Sequence, residues 1–73
     1  MGNREIIKQC LDSVKFELHM MQIAKTKGKN DDWLYIYYQR ANAKIDLMED
    51  MHLIHQRHAS ALQHITERAF FRG

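Results

Sequence analysis

The stretch Lys27–Asp32 (KGKNDD) contains the only interior glycine of a 73-residue chain that has no proline. A glycine that follows a run of helix-forming residues favours the left-handed conformation that ends a helix. Asn30 or Asp31 can then cap the start of a new helix, because their side chains accept hydrogen bonds from its first free amides. We therefore predict two helices separated by a turn at 28–30, with Gly28 as the stop.

The first helix is expected over residues 4–27, with Asn3 as its cap. Its apolar residues recur at spacings of four and three, which places them in one stripe along a helix: Ile7, Leu11, Val14, Leu18 and Met21. A second apolar group (Phe16, Met20 and Ile23) falls on the opposite side. A helix that is apolar on two sides is expected to be covered from two directions.

The second helix is expected over residues 31–71. The same spacing continues almost to the end of the chain, through the seam Leu34, Tyr38, Ala41, Ile45, Met48, His52, His55, Ala59, Leu62, Thr66 and Ala69. No glycine or proline interrupts it. At 1.5 Å per residue the two helices would be roughly 36 Å and roughly 60 Å long, so the second would extend well beyond the first. We expect an unbroken second helix whose overhang is covered by another subunit. The alternative is a three-helix monomer with a break near residues 55–60.

The predicted fold is all-α, with residues 1–73 forming a single domain. A chain this short rarely stabilises itself with one small core, and a single cysteine, Cys10, allows no internal disulfide. We therefore predict a helical hairpin that pairs with a second copy to form a four-helix bundle. The side chains expected in the dimer core are Val14, Phe16, Leu18, Met20, Met21, Ile23, Ile45, Met48, Leu62 and Ile65.

Composition argues against several classes of protein. The 11 basic and 9 acidic residues give a net charge of +2, which is a weak signal for nucleic-acid binding. No apolar run approaches the roughly 20 residues of a membrane span, and the N-terminal residues lack the apolar core of a secretion signal. We expect a cytoplasmic protein that has no membrane partner and needs no cofactor.

Four residues near the start of helix 2 are the candidate partner-binding site: Trp33, Tyr35, Tyr37 and Arg40. Aromatic and arginine side chains are common at binding hot spots, because they bury much area with little conformational entropy to lose. The alternative is that the aromatic rings close the hairpin end of the core. Since no catalytic set of residues is recognisable, we predict a non-enzymatic adaptor, inhibitor or regulator that presents a dimeric helical surface to a larger protein.

A second hypothesis is a nucleic-acid-binding regulator. Lys25, Lys27, Lys29 and Arg40 lie beside the aromatic residues, and single-stranded nucleic acids bind to such mixtures of cations and rings. The two aspartates that open helix 2 weaken the positive field there. The alternative, which the sequence favours, is ordinary helix-end chemistry, with basic residues at a C-terminus and acidic residues at an N-terminus.

A third hypothesis is a metal-binding bundle. Glu49-x-x-His52 has the spacing used by helix-bundle carboxylate metal sites, and His55 follows at the same interval. Asp12 of the first helix would lie at the same level of the hairpin and complete the set. The alternatives are that both histidines are seam residues or belong to a pH-sensitive interface.

Overall fold

The computed structural model describes residues 3–27 and 31–72. This part of the chain forms three α-helices, α1 (Asn3–Thr26), α2 (Asp31–Asp50) and α3 (Gln56–Arg72), and contains no strand. The all-α prediction is thus confirmed. The predicted turn at 28–30 with its glycine stop, and the capping side chains expected at Asn3, Asn30 and Asp31, lie outside what the structure describes.

The expected unbroken helix over 31–71 is wrong. α2 ends at Asp50, residues 51–55 are not helical, and α3 then folds back. The alternative of three helices is the arrangement observed, with the break at 51–55 rather than at 55–60.

The helix stop after Asp50 is a Schellman motif built without glycine. His52 has a left-handed backbone, with φ of 58°. Its N–H donates to the carbonyl of Glu49 at 2.9 Å, and the N–H of Leu53 donates to the carbonyl of Met48 at 2.9 Å. These two bonds satisfy carbonyls that the helix end would leave free. Histidine enters the left-handed region more readily than most non-glycine residues.

The start of α3 is capped by a histidine. The backbone N–H of Arg57 donates to Nδ1 of His55 at 3.1 Å. The N–H of Ala59 donates to the carbonyl of His55 at 3.0 Å, which is the first bond of the new helix. His55 therefore acts as the N-cap, a position more often held by Ser, Thr, Asp or Asn.

The core lies inside a single chain, because α3 packs back onto α1 and α2. Val14, Ile45, Met48, Ile54 and Ala59 form its buried cluster. Around it lie half-buried apolar residues from α1, the linking segment and α3: Ile7, Cys10, Leu11, Leu18, Leu53 and Leu62.

The residues predicted for the dimer core have different environments. Val14, Met21, Ile45 and Met48 are buried without a second copy of the chain. Half-buried positions are Leu18, Met20, Ile23 and Leu62. Phe16 and Ile65 remain 53% and 50% exposed.

The C-terminal end of α3 is fastened to the hairpin end of α1 and α2. The ring of Phe70 stacks on Tyr38 with 4.4 Å between centroids. The ammonium of Lys25 donates to the carbonyl of Ala69, one of the last carbonyls of α3. Of the α2 aromatic residues, Tyr35 and Tyr38 pack against α3 and close this end of the core. None of the helices in the described ranges has an apolar stretch long enough to cross a membrane.

Candidate partner-binding surface

The candidate surface is a groove between α1 and α2 on the side away from α3. Each helix has a second stripe of residues beside the stripe that faces the core. Each residue of this second stripe precedes a core-facing position by one residue, which places it about 100° away around the helix axis. The α1 stripe consists of Ile6, Cys10, Ser13, Glu17, Met20 and Ala24, and the α2 stripe of Trp33, Tyr37, Arg40, Lys44 and Leu47. Lys27 and Met51 continue the stripes one residue past the helix ends, where the N–H of each still donates to the carbonyl four residues earlier. We call the two stripes together the α1–α2 groove.

The middle of the groove is charged. Glu17 is fully buried, and its Oε2 accepts from Nε of Arg40 at 3.1 Å and from Nζ of Lys44 at 2.5 Å. Its Oε1 has no hydrogen-bond donor among the described residues. The side chains of Arg40 and Lys44 remain 56% and 30% exposed, so they cover the carboxylate while part of each reaches solvent. These contacts join the two stripes across the groove.

One end of the groove is apolar. A cavity of about 130 Å³ opens there, lined by Ile6, Cys10, Ser13, Lys44, Leu47, Met48, Met51 and Leu53. Three of its large apolar side chains are well exposed: Ile6 at 36%, Leu47 at 58% and Met51 at 56%. A dry cavity of about 150 Å³ can hold a benzene ring, so one apolar side chain fits in a space of this size.

The other end of the groove is aromatic. Trp33 and Tyr37 are neighbours, with ring centroids 5.9 Å apart, and Trp33 is 57% exposed. Tyr35 points elsewhere, since its ring contacts Tyr38 at 6.4 Å and Phe70 at 6.3 Å on the α3 side. The predicted site therefore divides: Trp33, Tyr37 and Arg40 share the groove, whereas Tyr35 does not belong to it.

The basic residues of the nucleic-acid hypothesis are also separated. Lys25 is half-buried and donates to the carbonyl of Ala69, and Arg40 is paired with Glu17. Lys27 is exposed and lies on the groove stripe of α1. The remaining one, Lys29, lies in the undescribed 28–30 segment.

The structure does not assemble the proposed metal ligands. Within residues 3–27 and 31–72, no group of three or more His, Cys, Asp or Glu side chains could hold a metal ion. The expected helical face is interrupted, because α2 ends between Glu49 and His52. Nδ1 of His55 is already used by the N–H of Arg57. Asp12 lines a different depression, together with basic residues of α1.

Sequence reasoning missed Ile6, Lys44, Leu47 and Met51 as parts of the surface. The signal for the three residues at the α2 side, Lys44, Leu47 and Met51, is the recurrence at 33, 37, 40, 44, 47 and 51, which has the same four–three spacing as the core seam. A mixture of aromatic, basic and apolar residues hid it, because an amphipathic stripe is usually sought among apolar residues alone. Comparisons of the chain with family models, curated proteins and solved structures find no match.

Proposed function

We propose that this protein is a non-enzymatic interaction protein that binds a partner protein through the α1–α2 groove. The observation that carries the proposal is the clustering of Ile6, Leu47 and Met51 around one apolar cavity, although each is more than a third exposed. Exposed apolar side chains that occur singly need no explanation, but a contiguous group beside polar residues is typical of an interaction site. The rest of the groove carries residue types that dominate binding hot spots, namely Trp33 and Tyr37 at the aromatic end and Arg40 in the middle.

The test uses two groove variants and two matched controls. Leu47→Asp and Trp33→Ala alter the two ends of the groove, where the side chains are 58% and 57% exposed. Ile65→Asp and Tyr35→Ala alter side chains of similar exposure, 50% and 53%, that lie off the groove. All four are expected to keep the helical circular dichroism of the parent. Each immobilised variant is then compared with the parent for proteins captured from an extract of the source cells.

The expected result is a captured protein that both groove variants lose and both controls retain, and whose direct binding is reproduced with purified components. A partner lost equally with Ile65→Asp or Tyr35→Ala would place the binding surface on α3 or on the side of α2 that contacts it, and not in the groove. Partners that all four variants retain would contradict the proposal.

We further propose that the chain forms a homodimer through the outer face of α1. Phe16 supports this, because it is 53% exposed and lies outside the groove stripe by about 100°. Two α1–α2 hairpins could form a four-helix bundle in this way, with α3 of each copy outside it. Light scattering over a concentration series tests the oligomeric state. A dimer that Phe16→Asp abolishes and Leu47→Asp keeps is expected, and a monomer at every concentration would contradict the proposal.

We also propose a cytoplasmic location, because the single cysteine suits a reducing compartment.

A nucleic-acid-binding function is the second candidate, favoured by the mixture of Trp33 and Tyr37 with Lys27, Arg40 and Lys44 along one groove. Phosphates would contact the cations and bases would stack on the rings. Trp33 is the sole tryptophan, so stacking should quench its fluorescence. Binding of a single-stranded oligonucleotide that weakens steeply with salt would support this candidate, and unchanged fluorescence would remove it.

A further inference from the structure

We infer that the segment of the partner that fits the α1–α2 groove is an acidic amphipathic helix with two apolar anchors about fourteen residues apart. This inference rests on the proposed function and specifies its partner. Three features of the groove carry it: its spacing, its length and its charge.

The spacing of the groove is that of a helix-binding seam. Both stripes follow the four–three interval, as the core seam does. The core seam already receives a helix, since α3 packs against α1 and α2. It contacts α2 through Tyr35 and Asp46, which lie away from the groove stripe. Side chains at these intervals form the ridges and holes into which another helix packs. A second helix on the open side would therefore be packed in the same manner as α3.

The length of the groove defines the two anchors. Leu47 beside the apolar cavity and Trp33 at the aromatic end are fourteen positions apart on the same stripe of α2, a distance of about 21 Å along the helix. A partner helix that lies along this groove reaches both ends with apolar residues about four turns apart. One anchor fills the cavity and the other packs on the rings of Trp33 and Tyr37.

The charge of the groove selects an acidic partner. Its stripes carry three cations, Lys27, Arg40 and Lys44, and the only carboxylate on them, Glu17, is buried beneath two of the three. Both of those cations keep exposed surface, and an arginine or a lysine has more donors than one carboxylate oxygen can use. Carboxylates on the middle turns of a partner helix would receive charge-assisted hydrogen bonds from them.

The chain's own third helix is a poor match for this groove. The described charged residues on the exposed face of α3 are Arg57, Arg68 and Glu67. A second copy docked through that face would bring more cations than carboxylates to a groove that is already basic, which is unfavourable in a desolvated contact. A different protein with an acidic helix is therefore the occupant that we propose.

The test is a selection with a display library of 22-residue, alanine-rich helical peptides randomised along one face. The full chain is the bait, and Leu47→Asp serves for counter-selection. We expect enriched peptides with Glu or Asp on the middle turns and two large apolar residues about fourteen positions apart. One enriched peptide is then synthesised beside a matched peptide in which Lys replaces each acidic residue. Trp33 fluorescence and amide chemical shifts report the binding site and the affinity.

The expected result is that the acidic peptide shifts the amide signals of Ile6, Trp33 and Leu47. The lysine peptide should have an affinity at least about tenfold lower. Arg40→Gln should weaken the acidic peptide several-fold, and Ile65→Asp should leave it unchanged. Enrichment of neutral or basic peptides in the groove would overturn the inference and leave the proposed function standing.

Two other outcomes also overturn the inference. If no groove-dependent peptide is enriched while the groove variants still lose a captured protein, the partner is not a helix of this kind. If light scattering shows a dimer that Leu47→Asp abolishes and Phe16→Asp does not, the occupant is a second copy of this chain. The proposed function fails separately, when captured partners are indifferent to Leu47→Asp and Trp33→Ala.

Discussion

Nζ of Lys44 on α2 lies 2.5 Å from Oε2 of Glu17 on α1, and this ion pair joins the two helices beside the core. The glutamate is fully buried, whereas the lysine side chain is 30% exposed. Removal of one partner from such a pair leaves a buried charge with fewer hydrogen bonds, which costs more than the intact pair contributes. Removal of one partner should therefore destabilise the fold by more than the intact ion pair stabilises it.

Lys44→Met should destabilise the fold by about 1–3 kcal/mol, because Glu17 would then depend on Arg40 alone. The double variant Glu17→Gln/Lys44→Met should recover part of that loss, since it also removes the buried carboxylate. Urea unfolding followed by circular dichroism measures both. Equal stabilities of Lys44→Met and the parent would contradict this prediction, and would mean that Arg40 alone satisfies the buried carboxylate.

His52→Gly should stabilise the protein by about 0.5–1 kcal/mol, because glycine adopts the left-handed backbone of the Schellman motif without the steric cost of a Cβ atom. His52→Val should destabilise it, since a β-branched residue is strongly disfavoured there. Met51→Gly is the control, because its backbone N–H continues the helical pattern by donating to Leu47, and glycine should destabilise that position. A loss of stability in His52→Gly would contradict the assigned backbone conformation.

His55→Ala should cost about 1 kcal/mol, because the first turn of α3 loses the acceptor for the N–H of Arg57. His55→Asn and His55→Ser should retain most of the parent stability, since both side chains cap well. His58→Ala, at an exposed position within α3, provides the background effect of losing a histidine. If His55→Ala and His58→Ala unfold at the same urea concentration, the cap is not stabilising.

Phe70→Ala should release the C-terminal turns of α3 from α2, because the stacked contact with Tyr38 is lost. A double-mutant cycle with Tyr38→Leu should give a coupling of about 0.5–1.5 kcal/mol. Amide hydrogen exchange should accelerate over the last two turns of α3 and little in the first turn. Uniform acceleration over the whole chain would indicate instead that this contact is needed for global folding.

The helices were predictable from local chemistry in the places where one pattern dominated. In α1, Ile7, Leu11, Val14, Leu18 and Met21 form a long stripe at helical spacing, and the helix ends at Thr26, next to the basic residue Lys27. The candidate site was predictable only in part, because residue type pointed to Trp33, Tyr37 and Arg40 but carried no information on their neighbours. Lys44 and Leu47 belong to the site because α1 and α2 pack side by side, which residue type alone does not indicate.

The break after Asp50 illustrates what residue patterns leave open. No glycine or proline marks this break in the sequence. The left-handed conformation of His52 costs only about 1 kcal/mol, so the backbone adopts it when burial of apolar side chains offsets that cost. The offset comes from Ile54, which is 8% exposed, and from Ala59, which is 1% exposed, because both join the core once α3 turns back. A sign was present in the seam, where two successive positions are histidines and apolar residues stand between them.

The chain alone thus specifies helices, the extent of α1 and an apolar stripe on each helix, because these depend on residues within a few turns of one another. Tertiary packing decides where α2 stops, that α3 rather than a second copy covers Val14, Ile45 and Met48, and that Trp33 and Tyr35 lie on different sides. The physical reason is that each of these outcomes depends on apolar area buried between distant segments. Such burial can outweigh a local conformational preference of about 1 kcal/mol. It cannot be predicted from the residue pattern within a few turns of a helix, because it depends on distant segments.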